Sequence, residues 1–286
     1  MQRHILRKLG LLCSIISFSL AASAQCKFTT ITIPGSTADA AIGVNDQGAI
    51  VGAFVNGSGS SGGNHGFLLF QGKLSSFRFP GSFSTEALGI NNNGQIVGDY
   101  VNLNTGQHGF IVHNGVFHSI SAPSGPSSTR AMGINNFGVI VGSAGANGFV
   151  LRNGQFSTVR FPGSSRTQAF GINDFGTIVG TYGDATGINH GFMLKSGKYT
   201  TIDFPGASNT SIFRIDNEGD VVGDYEMHGD VHGFTLDKGR FTTHDDPNAS
   251  LSTVIFGVNS HDRIVGSFVD AAGHNHSFRA DCTGVF

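Results

Sequence analysis

The sequence predicts an all-β fold, a six-bladed β-propeller with four antiparallel strands per blade, closed by an N-terminal strand that completes the last blade. Three observations carry that prediction. A decamer of the form "GINNNGQIVG" (residues 89–98) recurs six times, with its Asn, once Asp, at Asn45, Asn91, Asn135, Asn173, Asp216 and Asn259. A second landmark, "HGF" or a close variant, follows each decamer and begins at His65, His108, Asn147, His190, His232 and His276. No segment shows an apolar period of 3.6 over a helical length, whereas short stretches rich in Val, Ile, Phe and Tyr are frequent. Six units of about 43 residues built from strand-like pieces match propeller blades better than helical arrays.

Each unit is read as strands a to d. Strand a is Thr-x-Ala-φ-Gly-φ-Asn, Thr85 to Asn91 in the second unit, where φ is apolar. Alternation places Ala87 and Gly89 on one side and Leu88 and Ile90 on the other, so that a bulky face meets a neighbour's small face. Asn91-Asn92-Asn93-Gly94 is hairpin chemistry, a turn ending in the left-handed region where glycine has no steric penalty. Asp262, which replaces that glycine in the last unit, is among the few residues that tolerate the conformation. Strand b is "QIVGDY", strand c starts at the "HGF" landmark, and strand d ("KLSSFRF") follows across Gln71-Gly72. Nearly all length variation lies between strands b and c. Strand parity puts those loops on the same face as the d–a connections, so ligand-contacting groups are expected there and at the central channel.

The two ends complete one another. The segment "CKFTTITIPG" matches strand d with no a, b or c before it, and "HSFRADC" matches strand c with no d after it. Phe28–Ile33 is therefore expected to finish the sixth blade and remove an open edge. Cys26 and Cys282 align with the Gly72 and Gln71 turn positions, which predicts a Cys26–Cys282 disulfide at the seam.

Residues 1–24 have a basic head (Arg3, Arg7, Lys8), an apolar run from Leu9 to Leu20 and Ala22-Ser23-Ala24, the pattern of a secretory signal peptide cut after Ala24. The expected product is one propeller domain, 25–286, secreted or periplasmic and not inserted in a membrane. The third cysteine, Cys13, leaves with the leader. Residues 1–24 carry three of the 17 Lys and Arg and none of the 19 Asp and Glu, so the mature net charge is about −5. A mildly acidic chain of this kind has no electrostatic footprint for nucleic acid. The 43 glycines show no collagen period, and beside 25 phenylalanines they mark turns around a real core.

These landmarks resemble the HAF family of probable extracellular repeats, named for a His-Ala-Phe tripeptide that follows a "GINxxGxIVG" segment. The resemblance covers residues 27–280, with Gly or Ser as the tripeptide's middle residue here and Asn147 in place of one His. It implies a secreted bacterial repeat protein and brings no catalytic residues.

Candidate sites are few, and no cofactor is implied. The five landmark histidines, one per blade, are expected about 10 Å apart, too far to share a zinc ion whose ligands sit at about 2 Å. A structural role, bonding the backbone at the start of strand c, is expected instead. His274 and His276 stand two apart on a strand and offer two ligands, a weak metal signal. Asn45-Asp46 and Asn173-Asp174 look like turn-forming residues, since a calcium loop needs more oxygen ligands. Residues 57–62 fit G-x-G-x-x-G and 59–63 fit G-x-S-x-G, but neither has the strand-then-helix context its chemistry needs. The expected function is a binding or scaffold module for a polysaccharide or protein ligand on the b–c loop face, without catalysis. The alternative is a glycan-processing hydrolase or lyase at the channel mouth, using Glu86, Arg130, Arg166 and Arg214. With three glutamates in the chain, no carboxylate pair for glycoside hydrolysis can be assigned.

Overall fold

The computed structural model describes residues 25–56 and 63–283. The expected signal peptide lies outside them, as does the stretch 57–62, which holds the first motif match and all but the last residue of the second. Every element among the described residues is a strand, and the fold is an all-β propeller. In the second repeat, strands a to d are Ser84–Ile90, Ile96–Asn102, Gly106–His113 and Val116–Ile120, paired antiparallel in that order.

Hydrogen bonding groups the strands into five sheets rather than six. Repeats 1 to 4 each form a four-stranded sheet, while repeats 5 and 6 share an eight-stranded one. The link is one parallel pair, Val231–Ser252, between strand c of repeat 5 and strand a of repeat 6. A similar contact between repeats 2 and 3 is an isolated bridge, Gln107–Ser128. Strand c begins two residues before its landmark His in both repeats 2 and 5, but strand a of repeat 6 includes Ser252 whereas strand a of repeat 3 begins at Thr129, one residue past Ser128, so that only the former contact joins two strands.

The two landmarks explain each other in the core. The Phe of each "HGF" or variant, such as Phe67, Phe110 and Phe278, is completely buried. Phe110 lies across Gly98 of strand b, where an added Cβ would stand 2.8 Å from the ring and 1.9 Å from the Glu86 carbonyl oxygen. Only glycine fits between them. At the blade junctions, a Phe after strand d stacks on a strand-b Tyr of the following repeat, as Phe79 does on Tyr100 at 3.7 Å. The Phe-Pro-Gly segments are turns: in Phe79-Pro80-Gly81-Ser82 the Ser82 amide donates to the Phe79 oxygen, and Gly81 has φ 74°.

The N-terminal strand runs Gln25–Ile31 and pairs along its whole length with the last strand, Asn275–Thr283. It begins three residues before the expected Phe28 and stops two before Ile33, because Ile33-Pro34-Gly35-Ser36 is itself a turn closed by the Ser36 amide on the Ile33 oxygen. Cys26 and Cys282 are directly opposed in that ladder and form a disulfide. They stand where Gln71 and Gly72 join strands c and d in repeat 1, just beyond the pair equivalent to Phe70–Lys73, so a covalent bridge takes the place of that turn. Among the described residues no helix is long and apolar enough to cross a membrane.

Candidate functional site

The channel is built from strand a of each repeat, and a local irregularity shapes it. Each strand a carries a β-bulge, between Ala87 and Gly89 in repeat 2 and at the equivalent place in the other five. Simple alternation, as read from sequence, fails there because the bulged residue is unpaired and re-aimed. The bulged residues, Ile42, Leu88, Met132, Phe170, Phe213 and Phe256, line one cavity of about 160 Å3 together with Glu86, Arg130 and Arg214. The result is an apolar cup with charged groups at its rim and floor.

Arg214 makes the floor. It replaces the strand-a glycine of the other repeats and extends across the channel. Its Nη1 donates to the Phe170 and Phe213 oxygens at 2.5 and 2.9 Å, and its Nη2 to the Met132 oxygen at 2.7 Å and to the Leu88 oxygen. Carbonyls from four repeats thus solvate one guanidinium. Burial pushes Arg214 down to about 10, and the four carbonyl dipoles keep it charged at neutral pH. The arginine is a stopper: both of its terminal nitrogens donate to the backbone.

Glu86 and Arg130 sit together on the rim, as the catalytic alternative requires. Arg130 Nη2 meets Glu86 Oε2 at 3.0 Å, and its Nε meets Asp99 Oδ1 at 2.9 Å. Asn64 donates to the other Glu86 oxygen, and Gln107 Nε2 donates to Asp99 Oδ2 at 2.6 Å. Burial and then the neighbouring Asp99 raise the Glu86 carboxyl, against the pull of Arg130. Burial alone would lower Arg130, but Asp99 and then Glu86 outweigh it and raise the guanidinium. Arg166 is not in this group: its Nη2 is 3.1 Å from Asn189 Oδ1, on the exposed edge of repeat 4. Asp99 was missed in the sequence reading, although its place in "IVGDY" is one residue past a recognised landmark.

The opposite mouth is ringed by the six turns. Asn45 Nδ2 donates to the Asn91 oxygen, Asn91 to Asn135, Asn135 to Asn173, Asn173 to Asp216, and Asn259 back to Asn45, all at 2.9–3.1 Å. Asp216 has no amide to give, so the link from Asp216 to Asn259 is absent. A second tier repeats the scheme: the Asp46 amide donates to Asn92 Oδ1, Asn92 to Asn136, Asn136 to Asp174, Asp174 to Asn217, and Ser260 to Asp46. The Asp46 and Asp174 carboxylates accept hydrogen bonds from these neighbours. Each turn ends in the left-handed region, including Asp262 at φ 55°.

The landmark residues at the start of strand c bond side chains, not the backbone as expected. His108 Nδ1 meets Ser121, His190 Nδ1 meets Asp203 and His232 Nδ1 meets Asp245, at 2.8–3.0 Å. Asn147 accepts from Arg160, and His65 stacks on Phe54. The chain returns along strand d, and the first residue beyond that strand, thirteen positions after the landmark, supplies the side-chain partner, which leaves the backbone to its own ladder. His276 bonds Asp270 at 2.9 Å, and His274 lies 3.5 Å from the same carboxylate oxygen.

No family model matches the chain, and no curated protein matches it either. Solved structures do. A protein of unknown function from Dyadobacter fermentans aligns at 9% identity and TM-score 0.57, over 90% of this chain and 98% of that one. A virginiamycin B lyase from Staphylococcus aureus aligns at 10% identity and TM-score 0.56, over 90% and 99%. A fucose-recognising lectin from Aleuria aurantia, a six-bladed β-propeller, aligns at 11% identity and TM-score 0.50, over 90% and 97%. At these identities the likeness is one of fold: the chain is a propeller.

Proposed function

We propose that this chain is an exported, six-bladed binding or scaffold module of the HAF type, which engages a polysaccharide or protein ligand on the face of the b–c and d–a connections. Counting the eight-stranded sheet as two blades is supported by its single linking pair and by the six turns that line one mouth. Export fits the disulfide, which persists in oxidising compartments. The observation that carries the non-catalytic reading is the state of the channel mouth. Glu86 is held by Arg130 and Asn64, and Arg214 by four carbonyls, so among the described residues no free acid, base or nucleophile converges on the cup. The lectin's fucose recognition belongs to that protein and makes fucosides a sensible part of the ligand screen.

The runner-up is a glycan-processing hydrolase or lyase at the same mouth. In its favour, Glu86 and Asp99 flank Arg130, and burial raises the Glu86 carboxyl in the direction a general acid needs. A glycan array run beside a chromogenic glycoside panel separates the two. Selective binding without turnover is the expected result. Turnover that disappears in Glu86→Gln establishes the enzyme instead.

A further inference from the structure

Repeats 4 and 6 carry the same b–c loop with one informative difference. In repeat 4 it reads Asp184-Ala185-Thr186-Gly187-Ile188-Asn189-His190, and in repeat 6 Asp270-Ala271-Ala272-Gly273-His274-Asn275-His276. The backbones agree: Asp184 Oδ1 accepts from the Thr186 and Ile188 amides, and Asp270 Oδ1 from the Ala272 and His274 amides. Gly187 and Gly273 both have positive φ. His190 stacks on Tyr182 at 5.1 Å and His276 on Phe268 at 5.2 Å. The aspartate and the second histidine therefore have structural work in both loops. His274 does not: its place in repeat 4 is taken by Ile188, and its side chain is 64% exposed.

His274 nevertheless completes a donor set. One ligand atom from each of Asp270, His274 and His276 lies within 4.8 Å of the others. Asp270 Oδ2 is 2.9 Å from His276 Nε2 and 3.5 Å from His274 Nδ1. Donors held at about 2.0–2.2 Å from a tetrahedral ion stand about 3.3–3.6 Å apart, so binding needs the Asp270–His276 pair to open from 2.9 Å and the exposed His274 to turn towards them. Two imidazoles and one carboxylate suit zinc and its neighbours, not calcium or magnesium, which take oxygen ligands.

We propose that Asp270, His274 and His276 form a binding site for a divalent transition-metal ion of the zinc type, with three protein ligands and the remaining positions open to water. The loop is preformed by the hydrogen bonds it shares with repeat 4, so little ordering accompanies binding. Repeat 4, with Ile188, has the frame without the third ligand.

The test is a titration of the purified protein with zinc chloride against a competing chromophoric chelator, repeated on His274→Ile. That substitution installs the residue of repeat 4 in the same loop, and an unchanged melting temperature without metal verifies its fold. One zinc per chain is expected for the wild type, with affinity at least about tenfold weaker in His274→Ile, since even outer-shell changes cost about 10–100-fold. Calcium chloride at the same concentrations should not compete. No stoichiometric zinc binding, equal binding by His274→Ile, or displacement by calcium each overturns the proposal.

Discussion

The Asn259 side-chain amide donates to the main-chain oxygen of Asn45 at 2.9 Å, across 214 positions of sequence. That bond joins the last turn to the first and leaves the five equivalent contacts one link short of a circuit. The circuit is open at one place, where Asp216 stands.

Asp216→Asn should close it. Asp216 Oδ1 already accepts the Glu218, Gly219 and Asp220 amides, and an asparagine keeps that acceptor while adding the donor used by the other five. Burial raises the Asp216 carboxyl, so the charged form is disfavoured in the fold and stability is lost as pH rises through the folded value. The substitution is expected to stabilise by about 1 kcal/mol, more at pH 7 than at pH 4. Urea denaturation at both pH values measures it, and destabilisation at pH 7 contradicts the ring.

Arg214 admits a comparison of two replacements. Methionine fills the space but offers no donor, leaving four carbonyls facing an apolar chain at about 1 kcal/mol each. Glycine, the residue of the other repeats, opens the channel so that water reaches the same oxygens. Arg214→Met should therefore lower the melting temperature more than Arg214→Gly. The reverse order means that packing, not carbonyl solvation, is what Arg214 provides.

Reduction of Cys26–Cys282 should be costly. The bridged residues are 256 positions apart, and a loop of that size corresponds to roughly 5 kcal/mol in the chain-entropy treatment, an upper bound. A fall in melting temperature of roughly 10 °C is expected with reductant. Cys26→Ser with Cys282→Ser should match it and be indifferent to reductant. Non-reducing peptide mapping that finds both thiols free removes the basis for this.

Asp224 is a half-buried acid with a Ser211 hydrogen bond but no cation beside it in the ladder position that Arg130 fills for Asp99. Its Oδ1 has no hydrogen bond, and burial raises it to about 6. In repeat 2 the equivalent Asp99 is met by Arg130, whereas repeat 6 presents Val254 at that place. A raised acid favours the fold when protonated, and that contribution disappears as pH climbs from about 4 through 6. Asp224→Asn should gain about 1–2 kcal/mol at pH 8 and little at pH 4. An equal effect at both pH values excludes ionisation as the cause.

Much of this architecture was legible because the constraints are local. A glycine under Phe110 and a left-handed residue at position 94 leave marks in any copy of the repeat, and six copies make them unmistakable. What escaped depends on features with no local signature. The bulge at Leu88 arises where strand a meets the crowded axis, so alternation assigned that side chain to a blade face instead of the channel. The substitution of glycine by Arg214 was visible, but its partners come from four repeats and only the closed ring brings them within reach. Arg166 resembled Arg130 in sequence and diverges in space because it ends on an outer edge. Asp270 went unnoticed beside His274 and His276 because a five-residue loop, not a strand, folds it back onto them.

The pairing of Gln25–Ile31 with Asn275–Thr283 also fixes an order of events. Translation makes the one segment some 250 residues before its mate, so the ladder that locks the molecule is the final one able to zip. Until then, the mate's outer backbone groups are a vacancy that the early segment of another copy fits equally well. Crowded refolding should therefore favour exchanged dimers held by reciprocal strands, and dilution should favour monomers.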